Sequence, residues 1–349
     1  MIKASIIGGS GYTGGELLRL LIQHPEIELH RVSSNTFAGH SLGRAHPNLR
    51  GITDIKFCMR NDVKTDCDVL FVATPHGASM KLMPELAKSG VKIIDLSADF
   101  RLRSPDAFRL WYHTEHTAPE FLSKFVYGMP ELHREEIRKA TLVAVPGCLA
   151  TASILALYPL AKAKIIDPDH VVIDAKVGSS AAGAEFDLST HHPERSHVVR
   201  LYAAKMHRHT GEIEQELSQA MGNKVLASFS AHAVELVRGI LATCHVFTNR
   251  ALNEKEVWKL YRDAYGGEPF IRLVRETKGI YRLPEPKLLV GSNYCDIGFE
   301  IDERGNRLIA VSAIDNLVKG GSGAAVQCMN LMFNFPERTG LAGFGFHPI

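Results

Sequence analysis

Apolar residues follow two different rhythms along this chain. Up to about residue 146, short apolar runs alternate with stretches at helical spacing. Ile2–Ile7 is an apolar run that ends in glycines. Thr13–Gln23 then carries Leu17, Leu18, Leu20 and Leu21 on a helical repeat. Ile27–Ser33 is β-like, Asp68–Ala73 (DVLFVA) is continuously apolar, Ala78–Lys88 has a helical pattern, and Val91–Leu96 and Thr141–Val145 read as further strands. Strands that are apolar throughout, alternating with helices, predict a parallel sheet covered on both faces.

After Pro146-Gly147 the texture changes. A helix is predicted over Ala150–Ala163, followed by longer strand-like runs at His170–Val177, Val225–Ala231, Gly239–Phe247, Leu288–Ile301 and Leu308–Ile314. The linker Asp302–Gly305 is short enough for an antiparallel hairpin. A second, α+β domain with a mainly antiparallel sheet is therefore expected. Leu317–Phe333, rich in small residues, reads as a further helix.

A length of 349 residues fits about two such domains. The net charge of +2 argues against a dedicated nucleic-acid binder, which carries a strong basic excess. The six cysteines contain no CxxC pair, so neither a disulfide framework nor a zinc spacing is present. They read as thiols of a reducing compartment. With no signal-peptide pattern and no run of 18 apolar residues, the expectation is a cytoplasmic protein with no membrane role.

Two features carry chemistry. The first is Gly8-Gly9-Ser10-Gly11-Tyr12-Thr13-Gly14-Gly15, directly after the first strand and opening the first helix. A glycine-rich strand–turn–helix of this kind lets the backbone approach a pyrophosphate at a helix N-terminus. A turn without a ligand is the alternative. The context favours a Rossmann-type dinucleotide site built on Gly8, Ser10, Gly11, Tyr12, Thr13 and Gly14. The second strand ends at Ser34, Asn35 and Thr36, with no acid for a ribose 2′-hydroxyl. That favours NADP(H) over NAD(H).

The second feature is Cys148. Cys58, Cys67, Cys244, Cys295 and Cys328 sit where a small apolar residue would serve. Cys148 instead follows the last parallel strand and starts a helix, a position that favours the thiolate. A nucleophilic thiol needs a base. His207 and His209 stand at the predicted start of a helix, in HRHTGEIEQEL (207–217). No metal site is expected, because His-x-His without matching partners is a weak zinc signal. Spacing alone leaves a catalytic base and a solvated His-rich loop both open.

These segments, together with HPNLRG (46–51), PHG (75–77), DLSADFRL (95–102), YGMPELHREEI (127–137), PGC (146–148), RG (238–239), GSNYCDIGF (291–299) and AIDNLVKG (313–320), resemble the N-acetyl-γ-glutamyl-phosphate reductase family over residues 2–330. The segment after the first strand of the second domain, 178–185, lacks the basic residue of the arginine-pathway SGAGR pattern. The HHPER string (191–195) and the HRHT context are closer to the lysine-pathway branch. Leu149 and Asn35 depart from that branch, which usually has Asn and often Arg there.

The resemblance implies a semialdehyde-dehydrogenase-like fold: an NADP domain over 1–147, a catalytic and dimerisation domain over 148–314, and a C-terminal helix (315–349) returning to the first. It implies NADPH-dependent reduction of an acyl phosphate (aminoadipate 6-phosphate, glutamyl 5-phosphate, or both) to the semialdehyde, with Cys148 as nucleophile and His209 moving protons. The substrate-side set it suggests is Arg101, His207, Glu212 and Arg195, with Asn316 beside the nicotinamide. A structural salt bridge for Arg101 and a helix-dipole role for Glu212 are the bland alternatives. The implied partner is a small acidic carrier protein that holds the substrate amine. Arg195, Arg200, Lys205 and Arg208 against Glu194 make residues 191–209 locally basic, which suits such a partner. A homodimer or homotetramer is expected. An arginine-pathway N-acetyl-γ-glutamyl-phosphate reductase, a more distant aspartate-semialdehyde dehydrogenase and an NADP-sensing binding protein stand as rival readings.

Overall fold

A computed structural model describes residues 1–63 and 65–348. The chain divides into two compact units. One comprises Met1–Pro146 with Gly321–Ala342, the other Gly147–Gly320 with Gly343–Ile349.

The first unit holds seven parallel strands: β1 (Ile2–Ile7), β2 (Ile27–Ser33), β3 (Phe57–Cys58), β4 (Val69–Val72), β5 (Lys92–Asp95), β6 (Val126–Tyr127) and β7 (Leu142–Ala144). Their order is β3-β2-β1-β4-β5-β7-β6. The order reverses between β1 and β4, and such a switch point is where open α/β sheets bind ligands. All four residues of β4 are buried, as its unbroken apolar run requires. Leu70, Val72, Met80, Phe100, Phe108 and Phe121 belong to one buried apolar cluster of this unit. The helix Gly323–Met332 is buried at every position and also belongs here. Its small residues admit close packing, and the Ser322 hydroxyl ahead of it donates to Thr13 O at 2.8 Å.

The second unit carries β8 (Ile166–Val177), β9 (Val199–Ala203), β10 (Ala227–Val234), β11 (Ile240–Thr248), β12 (Ile271–Leu273), β13 (Cys295–Asp302) and β14 (Arg307–Ile314). The order is β12-β13-β14-β11-β8-β10-β9. Only β8–β10 and β12–β13 pair in parallel, so the sheet is mainly antiparallel, and β13–β14 is the expected hairpin. On β11, Ile240, Ala242, Cys244 and Val246 alternate into the core. The helix Cys148–Lys162 is buried along most of its length. Hydroxyls of Ser312, Tyr261 and Tyr265 bond its carbonyls at Ala152, Ala156 and Leu155, at 2.7, 2.6 and 2.8 Å. The helix His209–Met221 packs against it.

Some elements differ from expectation. The strand predicted over Leu288–Ile301 is a short 3-10 turn at Pro286–Leu289 followed by β13, because the Gly291–Asn293 stretch interrupts it. The last helix starts with a π turn at Val318–Ser322. The strands β3, β6, β9 and β12 have two to five residues, too few to establish a repeat. Helices at Pro105–Tyr112 and Pro130–Lys139 were also not anticipated.

Candidate active site

Cys148 is the first residue of its helix, and Gly147 is the N-cap. The thiol is half-buried. A side chain on Gly147 would collide with His209 Nε2 and with Glu212 Oε1. The imidazole therefore presses on the backbone directly before the cysteine, and only glycine leaves room for it. The Gly147 N–H donates to Glu212 Oε2 at 2.8 Å. Glu212 is fully buried and His209 is 6 % exposed. They lie one turn apart on the helix His209–Met221, so they share a face. From the other side, a Cβ on Gly320 would fall 2.7 Å from Cys148 Cβ, so the Gly320 backbone backs the cysteine closely.

His207 braces the start of the His209–Met221 helix. Its Nδ1 accepts from the His209 N–H at 3.2 Å, and its ring meets the His209 ring edge-on at 4.8 Å. An accepting Nδ1 places the proton of neutral His207 on Nε2, which lies 3.4 Å from Tyr202 Oη. Burial, and then the Arg208 charge, lower the His207 pKa to about 4, so the ring is neutral at pH 7. Tyr202 is half exposed as a residue. Burial around its hydroxyl, and then the charge of a Cys148 thiolate, push its pKa up to about 12. Tyr202 thus faces the cysteine's field, although nothing in the short strand β9 marked it beforehand.

The other residues singled out from the sequence occupy distinct places. Arg195 Nη2 donates to Val177 O and Val234 O, at 3.0 and 2.7 Å, tying down the ends of β8 and β10. Asn316 Oδ1 accepts from the Gly239 N–H at 2.8 Å, and its Nδ2 donates to Ser180 Oγ at 3.0 Å. Next to it, the fully buried Asp315 pairs with Arg238 Nε at 2.9 Å. Arg238 stands in the RG motif (238–239), where the sequence had given it no role. Arg101 belongs to the first unit. Its Nε donates to Val145 O at 2.7 Å and its Nη2 to Leu96 O at 3.2 Å.

The glycine loop also belongs to the first unit. Gly8 has φ +87°, and a Cβ there would run into Ala73 O. A Cβ on Gly14 would lie 2.7 Å from Gly8 O. A Cβ on Gly11, by contrast, would meet nothing within 4 Å. The loop is closed underneath and open above, at the start of the helix Tyr12–Ile22, as a pyrophosphate cradle requires. His46, not anticipated as a site residue, supports it from below: its Nε2 lies 2.8 Å from Gly9 O, and its ring fills the space beside Gly15. The Ser34 hydroxyl donates to Ser10 Oγ at 2.8 Å, joining the end of β2 to the loop. Tyr12, Asn35 and Thr36 are exposed, and Thr13 is half-buried. These residues fit a dinucleotide.

Among the described residues, no group of three or more His, Cys, Asp or Glu side chains could hold a metal ion. None of the described helices is long and apolar enough to cross a membrane.

A parallel-sheet dinucleotide unit joined to a unit with a half-buried cysteine next to a buried His–Glu pair defines a class of oxidoreductase, and known proteins agree. Residues 3–140 match the semialdehyde dehydrogenase NAD binding domain, and residues 148–316 match the semialdehyde dehydrogenase dimerisation domain. The chain belongs to the semialdehyde dehydrogenase family. It is 53 % identical over 342 residues to the Nitrosopumilus maritimus protein named LysW-L-2-aminoadipate/LysW-L-glutamate phosphate reductase, covering 97 % of this chain and 98 % of that one. It is 51 % identical, over all of both chains, to the Thermomicrobium roseum protein named LysW-L-2-aminoadipate 6-phosphate reductase. Among solved structures, aspartate semialdehyde dehydrogenase II of Vibrio cholerae superposes with a TM-score of 0.71 at 15 % identity, covering 96 % of this chain and 98 % of that one.

Proposed function

We propose that this protein reduces an acyl phosphate, held by its amine on a small acidic carrier protein, to the semialdehyde. The substrate is LysW-linked aminoadipate 6-phosphate, LysW-linked glutamyl 5-phosphate, or both, as the names of the relatives suggest. The observation that carries this reading is the packing of His209 Nε2 and Glu212 against Gly147, immediately before Cys148.

In this mechanism His209 takes the Cys148 proton. The thiolate attacks the acyl carbon, an S–C bond forms, the C–O bond to phosphorus breaks, and inorganic phosphate leaves. The result is a thioester on Cys148. When bound, the nicotinamide of NADPH supplies the hydride that reduces the thioester carbon. His209 returns its proton to the developing oxyanion, then takes the hydroxyl proton back as the C–S bond breaks, which releases the aldehyde and the Cys148 thiolate. The covalent route divides one hard step into two. Arg101 is assigned to the leaving phosphate as a fixed positive charge, its Nε and Nη2 being held by Val145 O and Leu96 O. Arg195, His207 and Glu212 shape the substrate side, and Asn316 serves the nicotinamide side while holding the Ser180 hydroxyl and the Gly239 N–H. The basic stretch 191–209 steers the acidic carrier toward Cys148. Homodimers or homotetramers acting in the cytoplasm, in lysine or arginine biosynthesis, complete the reading.

The test compares NADPH oxidation with carrier-linked aminoadipyl phosphate, carrier-linked glutamyl phosphate and N-acetyl-glutamyl phosphate. Turnover of either carrier-linked substrate at far higher kcat/KM than the acetylated one is expected. Preference for the acetylated substrate would instead make the protein an arginine-pathway N-acetyl-γ-glutamyl-phosphate reductase.

A further inference from the structure

The first unit offers a cation for the cofactor's 2′-phosphate in a place the sequence did not suggest. The end of β2 carries no arginine; Ser34, Asn35 and Thr36 stand there. The neighbouring strand β3 supplies one. Ser33 pairs with Cys58, and the Ser34 N–H donates to Cys58 O at 3.0 Å, so the chain leaving β3 runs beside the residues leaving β2. Two residues on, the Arg60 N–H donates to Asn35 Oδ1 at 3.3 Å.

This contact has two consequences. It engages the side-chain oxygen of the exposed Asn35, so the amide Nδ2 is the end of that side chain with donors to offer. It also fixes the Arg60 backbone next to Asn35 while its side chain is exposed. Among the described residues the Arg60 guanidinium has no hydrogen-bonding or ion-pair partner. The surrounding charges are already engaged. Arg31 donates to Asp62 O at 3.2 Å and pairs with Asp66 at 3.4 Å. The Asp62 carboxylate turns back to accept the Met59 N–H at 3.2 Å. The Ser34 hydroxyl accepts from the Phe37 N–H at 3.2 Å while donating to Ser10. At this corner of the parallel strands' carboxyl ends, among the described residues, the exposed Asn35 amide, the exposed Thr36 hydroxyl and the Arg60 guanidinium remain to meet a ligand.

We infer that Arg60, seated by Asn35, reads the 2′-phosphate of NADP(H), doing from β3 what an arginine at position 35 would do from β2. A planar fork of donors suits a phosphate dianion. The inference rests on the NADP(H) reading above and names the residue that enforces it.

The test is equilibrium binding, read without turnover. Dissociation constants for NADPH and NADH are measured by nicotinamide fluorescence, and those for 2′,5′-ADP and 5′-ADP by calorimetry, for the wild type and for Arg60→Gln and Arg60→Lys. The wild type is expected to favour NADPH and 2′,5′-ADP. Arg60→Gln should weaken both by at least about tenfold while leaving NADH and 5′-ADP within about twofold, and Arg60→Lys should fall between. Unchanged NADPH affinity in Arg60→Gln, with a wild type that still discriminates, would overturn the role of Arg60 alone. Equal losses for NADPH and NADH would make Arg60 a structural residue. A wild type that binds both cofactors equally would remove the NADP(H) reading and this inference with it.

Discussion

The buried carboxylate of Glu212 accepts the backbone N–H of Gly147 at 2.8 Å, and this one bond ties the start of the histidine helix to the residue before Cys148. Without it, a buried amide has no acceptor, which costs about 1–3 kcal/mol. Glu212→Ala should therefore destabilise the protein by about that amount and slow turnover, whereas Glu212→Gln, which keeps an acceptor oxygen, should retain most of the stability. Urea unfolding of both variants beside the wild type measures this. Equal midpoints for Glu212→Ala and the wild type would show that the bond holds nothing in place.

Gly147 is constrained for a different reason. Its φ of −67° suits any residue, so the objection to a side chain is purely one of space. A methyl group there would meet His209 Nε2 and come within 2.7 Å of Glu212 Oε1. Gly147→Ala should push the imidazole away, costing about 1–3 kcal/mol of overpacking. It should lower kcat by about 10²-fold or more, as loss of a general acid–base does. NADPH affinity should be unaffected. A variant that turns over at the wild-type rate would place the working base elsewhere.

Cys148 and His209 can be separated by chemistry. Cys148→Ser should abolish phosphate-dependent reduction of NADP+ by the semialdehyde while NADPH binding survives. His209→Asn should slow turnover by about 10²–10⁴-fold yet still allow Cys148 to be alkylated by iodoacetamide. Retained turnover in the first variant would refute the thiol route, and an unchanged rate in the second would refute His209 as the base.

The long elements were legible because each buries a continuous or strictly periodic set of residues. β2 was anticipated at its observed ends, and the Cys148 helix to within two residues at its start and one at its end. The glycine loop was legible because close backbone approach leaves few alternatives to glycine. The short strands were not. β3 has two residues and β9 lies at a sheet edge with no alternation, so neither carries a period. Tyr202 and Arg60, which depend on those strands, were invisible for the same reason. Long-range pairing is equally absent from local pattern. Nothing in HRHTGE specifies that Glu212 reaches back to Gly147, and nothing around Asn35 points to Arg60.

His207 links the site to pH. In the folded protein its pKa is lowered to about 4 by burial and by Arg208, against about 6.5 in an unfolded chain. Between those values the unfolded state binds the proton and the folded state does not, so stability rises with pH through this window. The contribution is fully present above pH 6.5 and is lost as pH falls toward 4, amounting to about 3 kcal/mol at most. His207→Asn offers a matched control, because its Oδ1 can accept the His209 N–H in place of Nδ1 and it does not titrate. Relative to the wild type, His207→Asn should therefore lose less stability between pH 6.5 and pH 4, with the two closest in behaviour above pH 7. Parallel urea melts at half-unit pH steps measure the difference. Profiles that stay parallel down to pH 4 would mean that His207 takes up its proton in the folded protein as readily as in the unfolded chain, and that the neutral ring bridging His209 and Tyr202 is not what the fold enforces.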